Sequence, residues 1–393
     1  MGKSALFIIN FANASKIFYP GQPVNGEVQL ELKEDVKVRA IRLEFGGFAH
    51  VRWTEQHGSG KHRRTVTYYS REDYFKQIVN CQSPPPGSDN MILKPGSYRY
   101  PFQFQLPPAM PSSFEGHFGR VRYYVKATMD KPWAFDEDIT HYYTVVNLLD
   151  LNMQPDASKP GEAANSKTLC CLCCESGPIT GKHRISKLGY VPGEAIQIEA
   201  ECVNHSNRDV KMTRMELVQV IYYKTPSKTR PVSTIVQRLD RKLVGKGDTD
   251  FWSGQQLVIP PLPSSGLVGC NIIDIQYFWQ YVCEPSGPAF SLRVPINIII
   301  GGIPLVTAAR QYGATNPMNY GFGGSSIPAP AVVFPDNVPR PAFASFSTYN
   351  NAGAQGQGNA VQPSDDTPMD TFSPHYPYYN WNQYDTTFKP QTY

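Results

Sequence analysis

No apolar run in this chain approaches the roughly 18 to 20 residues that a bilayer-crossing helix needs. The longest, residues 296–306, is cut by Asn297, Gly301, Gly302 and Pro304. Charge of one sign is scarce as well. The formal net charge is only +4, too thin a balance for the dense basic stripe of a nucleic-acid binder. The eight histidines are scattered, and neither Gly-x-Ser-x-Gly nor His-Glu-x-x-His occurs. Gly2-Lys3-Ser4 ends like a phosphate loop but has no glycine-rich run before it. These gaps argue against an enzyme and against a bound cofactor. A disulfide framework is excluded by crowding: of eight cysteines, four lie in Cys170-Cys171-Leu172-Cys173-Cys174, too close together to pair sensibly. The expectation is a reduced, cytoplasmic chain. At the N-terminus Lys3, Ala5–Ile9 and Ala12-Asn13-Ala14 imitate a signal peptide. That apolar core is short and broken by Asn10, so Leu6–Ile9 reads as a first strand.

What the chain does have is repetition. Tyr19-Pro20-Gly21 returns as Tyr190-Val191-Pro192-Gly193, and Val36–Leu43 returns as Val210–Leu217. Leu106-Pro107-Pro108-Ala109-Met110-Pro111-Ser112-Ser113 finds its echo in Ile259-Pro260-Pro261-Leu262-Pro263-Ser264-Ser265. Val121-Arg122-Tyr123-Tyr124-Val125 parallels Ile275-Gln276-Tyr277-Phe278-Trp279. Four segments in one order define a tandem duplication.

Within each copy, apolar residues alternate with polar ones, as at Ile196, Ile198, Ala200 and Cys202 against Gln197, Glu199 and Glu201. Period-two alternation buries one face of a strand and wets the other. No apolar stripe with helical spacing competes with it. The prediction is an all-β chain: a first β-sandwich over residues 1–151, a polar linker over 152–167, and a second sandwich over 168–301. In residues 302–393 Lys, Arg and Glu nearly vanish while Gly, Pro, Asn, Gln and Ser dominate. Such a segment buries too little to offset the entropy of ordering, so a largely disordered tail is expected.

The repeated motifs, with Pro111–Gly116, Val121–Ala127 and the run Lys167–Cys171 through Ser176–Ile179, resemble those of the α-arrestins, the arrestin-domain-containing proteins. The resemblance covers residues 6 to about 301 and implies two tandem immunoglobulin-like arrestin sandwiches. It also implies a non-catalytic cytoplasmic adaptor, peripherally associated with plasma membrane and endosomes. Such an adaptor holds membrane-protein cargo (receptors or transporters) for endocytosis, sorting or ubiquitination. Family members present Pro-Pro-x-Tyr to WW domains of HECT-type ubiquitin ligases. This tail has no such motif; the nearest text is Ser373-Pro374-His375-Tyr376-Pro377-Tyr378-Tyr379. Ligase recruitment would then be direct through a degenerate motif, or pass through a related arrestin. The rival reading is a structural subunit of an endosomal sorting coat, like the arrestin-fold subunit of retromer.

Three constellations stand out as candidate sites. The cysteine run Cys170, Cys171, Cys173 and Cys174 has S-acylation and interdomain packing as its main readings. Its CxxC spacing, with His183 beyond, leaves a metal as a third. The basic residues Lys61, Arg63 and Arg64 in one loop, and Lys224, Lys228 and Arg230 in the equivalent loop, suit anionic cargo or an anionic membrane surface. A solvated hairpin tip is the bland alternative. The aromatic cluster Tyr376, Tyr378, Tyr379, Trp381 and Tyr384 suits docking into a short groove or self-association.

Overall fold

The computed structural model describes residues 4–171, 174–311, 338–345 and 372–381. Each copy of the duplication folds as a pair of facing sheets. In the first, the strands Ser4–Phe11, Pro23–Leu32 and Gly96–Gln105 form a three-stranded sheet in that order. The opposing sheet runs Ile17–Phe18, Glu137–Val145, Gly119–Asp130, Ala40–His57 and Arg64–Gln82. The second copy repeats the plan. Gly161–Cys171, Cys174–Ile185, Ala195–Asn204 and Thr249–Val258 face a sheet of Gly189–Tyr190, Leu292–Ile300, Ile273–Pro285, Val210–Lys224 and Thr229–Val244.

The alternation read from the sequence is the burial pattern observed. Ile196, Ile198, Ala200 and Cys202 point inward, as do Leu292, Val294, Ile296, Ile298 and Ile300. Ser4–Phe11 pairs antiparallel with Pro23–Leu32, so the stretch that imitates a signal peptide is an edge strand of the first core.

The duplication extends to individual hydrogen bonds. Gly21 donates its N–H to Pro107, and Gly193 donates to Ile259. Both glycines have positive φ, +78° and +96°, which closes a turn that a β-carbon would strain. Tyr123 donates its buried hydroxyl to the Pro111 carbonyl at 2.7 Å, and Tyr277 donates to Pro263 at 2.8 Å. In each copy a tyrosine on a central strand therefore ties down the Pro-rich crossing that follows the Leu106 or Ile259 position.

The stretch 152–167 is not one linker. Asp150 caps a helical turn at Leu151–Met153, and Asn152 binds Pro304 and Val306 of the segment after the second sandwich. From Gly161 onward the chain is an edge strand of the second sandwich. Its polar composition is the wet face of that strand, where Lys182 meets Glu162 across the ladder at 2.6 Å. Within the tail, residues 302–311, 338–345 and 372–381 carry described structure. Ile303, Leu305, Ala308, Ala309, Val338, Tyr379 and Trp381 share one apolar cluster with Leu151, Ala157 and Val191. Burial in that cluster supplies the stabilisation that composition alone does not reveal.

Candidate functional site

The hairpin of strands Ala40–His57 and Arg64–Gln82 turns over through a helical turn, Gly60–His62, which carries Lys61; Arg63 and Arg64 follow and are exposed. The hairpin of Val210–Lys224 and Thr229–Val244 turns at residues 225–228, where Thr225 and Lys228 close the loop. The structure brings these two hairpins, one from each sandwich, into contact. The Lys228 ammonium lies 2.6 Å from a Glu55 carboxylate oxygen and 5.4 Å from the Tyr68 ring centroid. The Arg230 guanidinium sits 4.1 Å over the Phe118 ring and 4.0 Å from the other oxygen of Glu55. Phe118 meets Tyr223 edge to face at 5.7 Å.

Two of the six basic residues are therefore not free for anionic ligands: Lys228 and Arg230 are spent on the junction between the sandwiches. The hydrogen bond from Lys228 also holds the Glu55 carboxyl below its usual range. Lys224 is half-buried and its N–H donates to Ile272. Arg63 and Arg64 remain at the rim as exposed positive charge. Glu55, Tyr68 and Phe118 were not singled out from the sequence. The alternation around Trp53 and Glu55 marks a strand, but nothing local to it marks a partner in the other copy.

The cysteine run lies elsewhere. Cys171 faces Cys174 and Cys170 faces Glu175 across a hairpin turn; Cys173 lies outside the described residues. His205 binds back to Pro178 at the base of this turn, and the Asn204 amide binds Arg208 and Val244. That is the end of the second sandwich where Val210 pairs with Val244 and Pro285; the Lys224 end carries the junction. The run therefore flanks the end of the second sandwich away from the contact between the two hairpins. His183 does not extend it toward a metal, because it is buried and donates through Nε2 to the Val294 carbonyl at 2.7 Å. Burial lowers its pKa to about 4, leaving a neutral core imidazole. Among the described residues no group of three or more His, Cys, Asp or Glu side chains converges on a metal position. No helix among them is long and apolar enough to cross a membrane.

The tail aromatics pack on their own chain. Ala342–Ser345 pairs antiparallel with His375–Tyr378, and the Phe343 ring lies 6.3 Å from that of Tyr19. Tyr376, Tyr379 and Trp381 are buried and Tyr378 is half-exposed; Tyr384 lies outside the described residues. Tyr379 donates its N–H to Pro192 at 3.0 Å and its hydroxyl to Gly302 at 2.8 Å. On the first sandwich, His375 donates its N–H to the Thr144 hydroxyl at 3.4 Å, and the Phe372 ring lies 5.7 Å from Tyr142. Residues 372–381 thus form a strap that touches both sandwiches.

Two comparisons bear on this duplicated architecture. The family model for the arrestin (or S-antigen) N-terminal domain matches residues 7–152, and that for the C-terminal domain matches residues 175–305. The chain belongs to the arrestin family. Its relatives place it among the α-arrestins. Arrestin domain-containing protein 17 of Caenorhabditis elegans is 32% identical over 344 residues, which is 83% of this chain and 76% of the relative. Human arrestin domain-containing protein 4 is 32% identical over 288 residues, 72% of this chain and 68% of the relative. Arrestin domain-containing protein 1 of Rattus norvegicus is 28% identical over 312 residues, 78% and 67% of the two chains.

Proposed function

We propose that this α-arrestin is a non-catalytic adaptor that holds the cytoplasmic segment of a membrane protein on the crest formed by its two hairpins, and so promotes that cargo's endocytosis, sorting or ubiquitination. The observation that carries the reading is the contact of Lys228 and Arg230 with Glu55 and Phe118. It fixes hairpins from separate sandwiches side by side and leaves Arg63 and Arg64 exposed at their rim. A rigid crest with guanidinium groups at its edge suits bidentate recognition of carboxylate- or phosphate-bearing segments. Edge strands beside it offer main-chain hydrogen bonds to an extended peptide. The protein would work at the cytoplasmic face of plasma membrane and endosomes, with ligase brought in by the tail or by a related arrestin. Raising the effective concentration of cargo near a modifier needs no catalytic group.

The test is an array of cytoplasmic segments of membrane proteins, with and without phosphorylation, probed with the full chain and with Arg63→Ala/Arg64→Ala. A defined subset of segments should bind, and the double variant should lose at least about tenfold in affinity for them. Equal binding by the two proteins would remove the crest from the reading.

A further inference from the structure

The strap is the tail's most tyrosine-rich stretch, and it is also the stretch that is put away. We propose that the cradle it occupies is an exchangeable binding site for an extended aromatic peptide. In that reading the chain's own residues 372–381 are its resting occupant, and partners that read those tyrosines compete with the cradle for them.

The cradle reads its occupant as a peptide-binding site would. Main-chain recognition comes from the Pro192 carbonyl, which accepts from Tyr379 N–H, and from Thr144, which accepts from His375 N–H. Residue-specific recognition comes from the Gly302 carbonyl, which lies in a buried position and accepts the Tyr379 hydroxyl. An aliphatic side chain at 379 would leave that acceptor unmatched, at a cost that disfavours it. The Trp381 ring stacks on Tyr379, with centroids 5.2 Å apart and planes 16° from parallel. The floor beneath them is apolar: Leu151, Val191, Ile303, Leu305 and Ala309. The wall is fitted to the backbone of the occupant. Gly193 has positive φ, and a β-carbon there would overlap the Tyr379 carbonyl oxygen.

The mode of attachment makes the occupant exchangeable. Among the described residues, no strand of either sandwich pairs with the strap; its ladder partner is Ala342–Ser345, itself part of the tail. The sheets of both sandwiches close without it. The strap and its ladder partner Ala342–Ser345 can leave together, with no strand of either sandwich unzipped. It stays because it is tethered, and a tether of tens of residues holds a segment at an effective concentration on the order of millimolar. A module that binds Tyr376 or Tyr379 must overcome that local concentration, because both rings are buried in the docked state.

Hydrogen exchange on the full chain and binding of a labelled peptide spanning residues 371–383 test this together. In the wild-type chain the Tyr379 amide should exchange at least about tenfold more slowly than in the free peptide. The peptide should bind the full-length Tyr379→Ala/Trp381→Ala variant with micromolar affinity. It should bind the wild type at least tenfold more weakly, and a peptide carrying the same two substitutions should not bind. Leu305→Asp, which spoils the floor without altering the strap, should let an antibody raised against residues 372–381 capture the full chain at least tenfold better. Free-peptide exchange rates at Tyr379 would overturn the proposal. So would failure of the peptide to bind a double variant that still melts cooperatively. Loss of cooperative melting in the double variant would also overturn it, since the strap would then be part of the core rather than a ligand.

Discussion

The ammonium of Lys228, in the second sandwich, lies 2.6 Å from the carboxylate of Glu55, in the first, with side chains 43% and 22% exposed. A pair this exposed contributes on the order of 0.5 to 1 kcal/mol, less at high salt. A double-mutant cycle with Glu55→Gln and Lys228→Gln should return a coupling of that size in urea melts. A coupling near zero would leave the Arg230–Phe118 contact as the main polar tie at this point of the junction.

The exposed rim should attract anionic membranes. Each basic side chain near a charged surface contributes about 1 kcal/mol at moderate salt. Lys61→Ala/Arg63→Ala/Arg64→Ala should therefore weaken binding to vesicles containing phosphatidylserine by roughly 100-fold. Glu55→Gln should act in the opposite direction, by releasing Lys228 and Arg230. Vesicle affinities that ignore both substitutions and the salt concentration would dispose of the membrane contact.

The two tyrosine brackets should not be equal. Tyr123 bonds Pro111, whereas Tyr277 both donates to Pro263 and accepts from Gln219 at 2.8 Å. Replacing Tyr277 by Phe strands a buried amide as well as a carbonyl. It should cost about 2 to 3 kcal/mol, against about 1 kcal/mol for Tyr123→Phe. Paired chemical denaturation curves on the full chain measure the difference.

His183 should make the second sandwich sensitive to acid. Its folded pKa of about 4 lies below the unfolded value of 6.5. The unfolded chain therefore takes up the proton first as pH falls. Its contribution is complete above about pH 6.5 and is lost progressively toward pH 4, by about 3 kcal/mol in all. His183→Gln keeps a donor for Val294 and should flatten the loss of stability between pH 6.5 and 4. An unchanged slope would assign the acid sensitivity to other groups.

Legibility followed locality. Alternation and the four repeated segments expose the two sandwiches directly, because each strand's burial pattern is written in its own residues. The repeated Pro-rich crossings also mark Pro111 and Pro263 as equivalent positions, and the structure makes both of them acceptors. The partner of Lys228 was hidden because it depends on how one sandwich sits on the other. The strand from Gly161 was hidden because an edge strand with a wet face reads as linker. The seat of Tyr379 was hidden most deeply. Its recognition elements are the main-chain carbonyls of Pro192 and Gly302, which leave no mark on composition.

The cysteine turn and the hairpin crest occupy opposite ends of the strand Val210–Lys224. A strand of that length spans roughly 45 Å at about 3.3 Å per residue. A fatty-acyl group attached at the turn would hold that end of the second sandwich at the lipid surface, so the molecule could lie along the membrane or stand away from it. Lying down, the crest reaches only segments hugging the bilayer. Standing, it reaches segments projecting several nanometres into the cytoplasm. The second sandwich would then be a spacer, and its tilt would set which length of cargo tail the proposed crest could read.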